Sequence, residues 1–368
     1  MAPAGGYFRR LSEQTRTEFW INNPTLAEAE EALSAGALCA TTNPTYPARL
    51  LKEEPEYCTG VIDSGIGESD DDGKVADFLY QKAVARLQAL FYPLYTRTQA
   101  RHGYVAIQGD PRVNTDAAAI LEGAVRYRRL GENIIIKVPA WPAGATALEK
   151  LVEMEIPTIA TLGFSVDQAV YMAEVYRRAL TRSKTRPVCY VTFIAGVLDT
   201  YLSEQSARLG NVVPADTIQH AGCSASRVAC KLYKSRGYEA VLLGGGARGP
   251  HHFTELVGGD LAITIGWNLA RQIIEANGPV VSRIDAEAPP AALLALKEHL
   301  PDFLKSSSER SLAPEEFRNF GPVADFQGTF LSGQETVLGA IASRRRTKYQ
   351  TNKGATEHAN IQNKASGG

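Results

Sequence analysis

The stretch NIIIKVPAWPAG, residues 133–144, decides how the chain is read. Ile134, Ile135, Ile136 and Val138 make a nearly continuous apolar run, the mark of a strand buried on both faces in a parallel sheet. Lys137 breaks that run, and lysine is almost never fully buried unless it is paired or chemically employed. Alternation along a strand puts Ile135 and Lys137 on the same face. Val138 and Pro139 then turn the chain away, so the amine belongs to the end of the strand.

Similar runs lie on both sides. EFWIN (18–22), ALCAT (37–41), YVAIQ (104–108), TIATL (158–162), VCYVTF (188–193), AVLLGG (240–245) and LAITIG (261–266) predict seven more strands. Helical segments separate them. TLAEAEEALSAG (25–36) opens on a Thr cap and closes on Gly, and the amphipathic segments 116–131 and 165–180 look similar. Eight strand–helix units over about 260 residues favour a closed (β/α)8 TIM barrel over an open doubly wound sheet. A partly helical insertion occupies residues 46–92, and apolar segments at 289–304 and 329–345 predict a helical C-terminal extension. The expected organisation is an N-terminal arm (1–16), a barrel (17–280), the extension (281–345) and a polar, disordered tail (346–368).

Composition narrows the function. Of 368 residues, 44% are hydrophobic and 21% charged, with a net charge of −1, so neither nucleic acid nor an anionic membrane is an expected partner. The N-terminal MAPAGGYFRRLSEQ lacks the apolar core of a secretory signal, and no apolar run approaches the ~18 residues of a membrane span. The acidic run ESDDDG (68–73) reads as a solvated loop. Five scattered cysteines and six histidines show no zinc or disulfide spacing, which fits a reducing, cytoplasmic location. Both standard nucleotide-binding glycine loops are missing, and GGGAR (244–248) fits neither. No metal or cofactor is expected.

A (β/α)8 barrel builds its site at the C-terminal ends of its strands. If Lys137 points inward, desolvation disfavours its ammonium form and lowers its pKa. The neutral amine can then attack a carbonyl, and the resulting protonated imine labilises the adjacent C–C or C–H bond. The plain alternative is a lysine snorkelling out of the strand end with its charge in water.

Five motifs fall at successive strand ends: TTNP (41–44), QGDPR (108–112), IKVP (136–139), TLGFS (161–165) and GGGAR (244–248). In order and spacing they resemble the transaldolase family of class I Schiff-base aldolases, across roughly residues 18–275. The resemblance implies that Lys137 forms the imine, Asn43 binds substrate hydroxyls with Thr42 beside it, Thr161 holds a proton-shuttling water, and Arg248 belongs to a substrate phosphate site. Taken singly, Asn43 reads as a turn residue before Pro44 and Thr161 as an ordinary strand threonine.

Three departures stand against that pattern. Asn22 occupies the place of the family's acid/base aspartate, and Gln108 that of its water-activating glutamate. An amide orients water but cannot take up a proton near neutral pH. Gly196 stands where the family carries a second phosphate-binding arginine. The fructose-6-phosphate aldolase branch also has glutamine at the position of Gln108, but it uses a strand-six tyrosine where this chain has Phe193. Asp110, two residues beyond Gln108, and His251 with His252 near Arg248 are other groups able to move protons; an ion pair of Asp110 with Arg112 and a solvated His loop are the plain alternatives.

The expected function is therefore a transaldolase-like aldolase or transferase acting on a small hydroxyketone or ketose and an aldehyde, with a non-standard substrate. Two alternatives stay open: an imine enzyme that moves protons or dehydrates without C–C cleavage, and a non-catalytic sugar-binding barrel. The extension could cap the barrel, close over the site or form a homodimer interface.

Overall fold

The computed structural model describes residues 6–365, with side chains described as far as Lys348. Residues 1–5 of the expected arm and 366–368 of the expected tail lie outside the described residues. Strands β1 (Glu18–Asn22), β2 (Cys39–Thr41), β3 (Val105–Gln108), β4 (Ile134–Pro139), β5 (Thr158–Thr161), β6 (Cys189–Phe193), β7 (Val241–Gly244) and β8 (Leu261–Ile265) close into a parallel barrel in sequence order. Every predicted strand is present, with ends within two residues of expectation.

The helices follow from local sequence. Helix α1 (Tyr7–Gln14) precedes the barrel and buries Tyr7, Phe8 and Leu11, so the described part of the arm is a packed element. Thr25 caps α2 (Leu26–Ala35) in a capping box with Glu28, and Gly36 ends it in the left-handed region. The insertion is helical almost throughout: α3 (Tyr46–Glu53), α4 (Pro55–Glu68) and α5 (Asp72–Arg97). Asp116 caps α6 (Ala117–Arg128), α7 spans Pro142–Glu153, and Ser165 caps α8 (Val166–Leu180). Then come α9 (Ala195–Arg208), α10 (Ala215–Ile218), α11 (Ala221–Arg236), α12 (His251–Thr254) and α13 (Trp267–Ala276).

Beyond the barrel lie α14 (Pro290–His299), α15 (Pro301–Ser307) and the long α16 (Gly321–Ala365). Position 345 is therefore no element boundary, and the stretch read as a disordered tail continues this helix to Ala365. Propagating a helix already docked upstream avoids the nucleation cost that an isolated polar segment would face. The acidic run is also more than a solvated loop: Asp71 caps α5, and Arg345 of α16 hydrogen-bonds Asp72 at 2.8 Å. Arg344 forks onto Asp63 at 2.6 and 2.7 Å, fastening α16 across the insertion. Among the described residues no helix is long and apolar enough to cross a membrane.

Strand alternation divides the apolar residues in two. Trp20, Cys39, Ala106, Ile135, Ile159, Tyr190, Leu243 and Ala262, one per strand, fill the barrel interior. The intervening residues, such as Ile136, Val191 and Phe193, join the larger core between the strands and the helices. Two residues beyond each interior residue comes the next layer: Asn22, Thr41, Gln108, Lys137, Thr161, Thr192, Gly245 and Thr264. The apolar plug thus gives way in one step to a polar floor.

Candidate active site

Lys137 stands in that floor, level with Gln108 of β3 and Ile159 of β5. It is 8% exposed, and its Nζ donates to the backbone carbonyl of Thr42 at 3.0 Å. With no carboxylate paired to it among the described residues, desolvation lowers its pKa from the usual lysine value to about 7.

The amine lies at the junction of two cavities. The inner one, about 320 Å³, is floored by Asn22, Thr41, Thr161, Thr192 and Thr264 and flanked by Asn43 and Arg248. Phe326, Thr329 and Phe330 of α16 form its roof. The outer cavity, about 620 Å³, opens past Gln108 towards α5 and α6, and Lys137 lines both. The C-terminal extension therefore closes over the barrel mouth.

Around the amine, Asn22 Oδ1 accepts from the Thr41 hydroxyl at 3.0 Å, and Thr41 meets Thr264 at 2.7 Å. Asn43 Oδ1 is occupied by Asn23 Nδ2 and by the amide and hydroxyl of Thr45, at 2.7 to 3.2 Å. Gln108 is buried, and its Oε1 has no partner among the described residues, so it is free to accept from a bound hydroxyl.

Several predicted site residues lie elsewhere. Thr42 turns its hydroxyl away to Tyr80 and the Ala106 carbonyl, and only its backbone oxygen meets Lys137. Phe193 is out of phase with the floor and packs outward among the helices; Thr192 takes the inward position. Tyr190, on the same face as Thr192, lies one layer lower, against Trp20. Asp110 is not in line with Gln108, because β3 ends there and the chain turns at Pro111 into a 3-10 helix. It lines the outer cavity and ion-pairs with Arg112 at 2.5 Å. His251 lines neither cavity, and its ring lies 3.9 Å from that of His252.

Thr41, Thr192 and Thr264 were not singled out by sequence. The usable signal was positional: each stands two residues beyond an interior residue. Arg248 does line the inner cavity, and it forms no ion pair among the described residues. A Cβ on Gly196 would stand 2.5 Å from Gly246 O and 2.7 Å from Arg248 N, so the loop after β7 occupies the space that an arginine there would need. Asp199, His251 and His252 bring three potential metal-ligand atoms within 4.8 Å of one another. Both ring nitrogens of His252 are nevertheless engaged, with Asp199 at 2.9 Å and the Arg248 amide at 3.4 Å, which describes a hydrogen-bonded group.

The arrangement is a (β/α)8 barrel that presents a desolvated lysine from its fourth strand into a polar cavity. The chain matches the Transaldolase/Fructose-6-phosphate aldolase family over residues 19–312, and it belongs to that family. A transaldolase of Fusarium oxysporum f. sp. lycopersici is 26% identical over 290 residues, 76% of this chain and 83% of the relative. A transaldolase of Trichodesmium erythraeum is 27% identical over 175 residues (47% and 46%), and one of Thiobacillus denitrificans 29% over 154 (41% and 42%). The chain thus spans less than half the length of the latter two.

Proposed function

We propose that this chain is a class I aldolase or transaldolase-like transferase that forms an imine between Lys137 and a small hydroxyketone or ketose. The reading is carried by the buried amine, its pKa lowered to about 7 and its one hydrogen-bond partner among the described residues a carbonyl oxygen. That oxygen takes an N–H and leaves the nitrogen lone pair available to a substrate carbonyl.

The neutral amine adds to the ketone carbon to give a carbinolamine; its hydroxyl takes a proton from solvent and leaves as water, which gives the protonated imine. Cleavage follows when the hydroxyl on the far side of the scissile C–C bond loses its proton. An aldehyde departs, and the bonding pair passes to the imine as an enamine. Adding the enamine to a second aldehyde and hydrolysing the imine completes a transfer. Protonating it instead, followed by hydrolysis, completes a cleavage.

No carboxylate lines the inner cavity among the described residues. Within it Asn22 and the threonine hydroxyls orient water and substrate hydroxyls, and proton removal there falls to water, while Gln108 and Asp110 line the outer cavity that Lys137 also reaches. Positioned proton transfer is worth roughly 10²–10⁴-fold, so this site favours a substrate other than the family's usual one. The same observation supports a second reading, in which the imine forms but the outcome is proton exchange or dehydration. The free cysteines fit action in the cytoplasm.

The test is reductive trapping: incubation with dihydroxyacetone or fructose 6-phosphate, then borohydride, then peptide mapping. An adduct on Lys137 is expected, and its absence with both ketones rejects the imine. Product analysis with and without glyceraldehyde then separates transfer, cleavage and proton exchange.

A further inference from the structure

A second buried polar group joins α9 and α12, the helices that follow β6 and β7. Asp199, in the second turn of α9, and His252 of α12 are 7% and 3% exposed. His252 Nε2 lies 2.9 Å from Asp199 Oδ2, while His252 Nδ1 accepts the backbone N–H of Arg248 at 3.4 Å. A backbone amide only donates, so Nδ1 is the acceptor, and the ring proton sits on Nε2 and is donated to the carboxylate. Asp199 Oδ1 also accepts the Gly222 amide at 2.6 Å. One hydrogen-bonded chain thus joins α11, α9 and the loop after β7.

Shape supports the same connection. The loop rests on the first turn of α9, where Gly196 has no side chain to hold it off, and Gly246 takes a positive φ of 64°. The Arg248 guanidinium anchors little itself, with one contact to Gly246 O at 3.5 Å. Arg248 is the lasting cation of the inner cavity, whose other basic group is the desolvated Lys137 amine, and no carboxylate lines it among the described residues, so an anion is the charge that this lining accommodates.

We infer that Asp199 and His252 are positioning residues that hold the β7 loop so that Arg248 receives an anionic end of the substrate, a phosphate or a carboxylate. This deepens the function proposed above, and it is tested without imine chemistry. Sorbitol, sorbitol 6-phosphate and gluconate have no carbonyl able to react with Lys137, so calorimetry of the full-length chain with each reads the anion site alone. The wild type binds sorbitol 6-phosphate or gluconate at least about tenfold more tightly than sorbitol, the scale of one charged hydrogen bond; which of the two gains identifies the anion.

His252→Phe removes most of that preference. His252→Asn, which keeps an acceptor near the Nδ1 position, retains more of it. Asp199→Asn, nearly isosteric, gives a smaller loss in the same direction and stands in if His252→Phe does not fold. Unchanged preference in folded His252→Phe and Asp199→Asn overturns the inference, as does a wild type without anion preference. Neither result touches the imine, which stands or falls on trapping at Lys137.

Discussion

The two ends of the barrel interior treat an ionisable side chain in opposite ways. At the amino end, Glu18 shares the inward face of β1 with Trp20 and Asn22 and is answered by a donor: Trp20 Nε1 donates to it at 2.9 Å. Burial raises its carboxyl pKa, and the Trp20 bond works against that rise. At the carboxyl end, Lys137 is buried with a carbonyl oxygen as its one hydrogen-bond partner among the described residues, and desolvation acts unopposed. Burial disfavours both charges, but the carboxylate keeps a donor that offsets part of the cost, whereas the amine has no partner charge and is held in its reactive, neutral form.

The contrast breaks most completely at Lys137. Lys137→Met abolishes adduct formation and raises the melting temperature by roughly 2–8 °C, the scale of one or a few kcal/mol, because the desolvated amine is gone. Trapping by mass spectrometry and a thermal melt read both effects. Next comes Gly196→Arg. Restoring the family's arginine costs about 2–3 kcal/mol by overpacking against Gly246 and Arg248, and anion preference falls instead of rising. Denaturant unfolding and calorimetry check it.

Asn22→Asp sharpens the comparison by placing a carboxylate in the lysine's own cavity. It speeds C–C cleavage of a ketose by about 10²-fold, measured as aldehyde release. It also moves the midpoint for trapping to higher pH, since a nearby negative charge favours the ammonium. The smallest effect belongs to the amino end. Glu18→Gln changes stability by about 1 kcal/mol and leaves trapping unaltered, because that end holds the barrel together and does not face substrate.

Strand positions and the place of Lys137 were legible because apolar runs, caps and alternation are local signals. The capped helix after Thr25 and the strand at 134–139 needed nothing beyond their own residues. The polar floor was legible only in part. Thr192 and Phe193 differ by one step of alternation, and an end-of-strand motif does not state its phase. Asp110 was extrapolated along a strand that ends at Gln108. The bond between Asp199 and His252 spans 53 residues and depends on how the loop after β7 settles on Gly196. Likewise, the apolar residues of α16 announced a packed face, but not that Phe326 and Phe330 would roof the cavity.

The central claim, that burial holds the Lys137 amine neutral for attack on a carbonyl, is tested most directly by the pH dependence of reductive trapping with dihydroxyacetone at fixed reductant. Since the folded-state pKa is lowered from 10.5 to about 7, the reactive neutral form appears as pH rises through that value. Adduct formation at Lys137 should therefore climb with a midpoint near pH 7 and level off above pH 8. A midpoint near pH 10, that of a solvated lysine, would contradict the account.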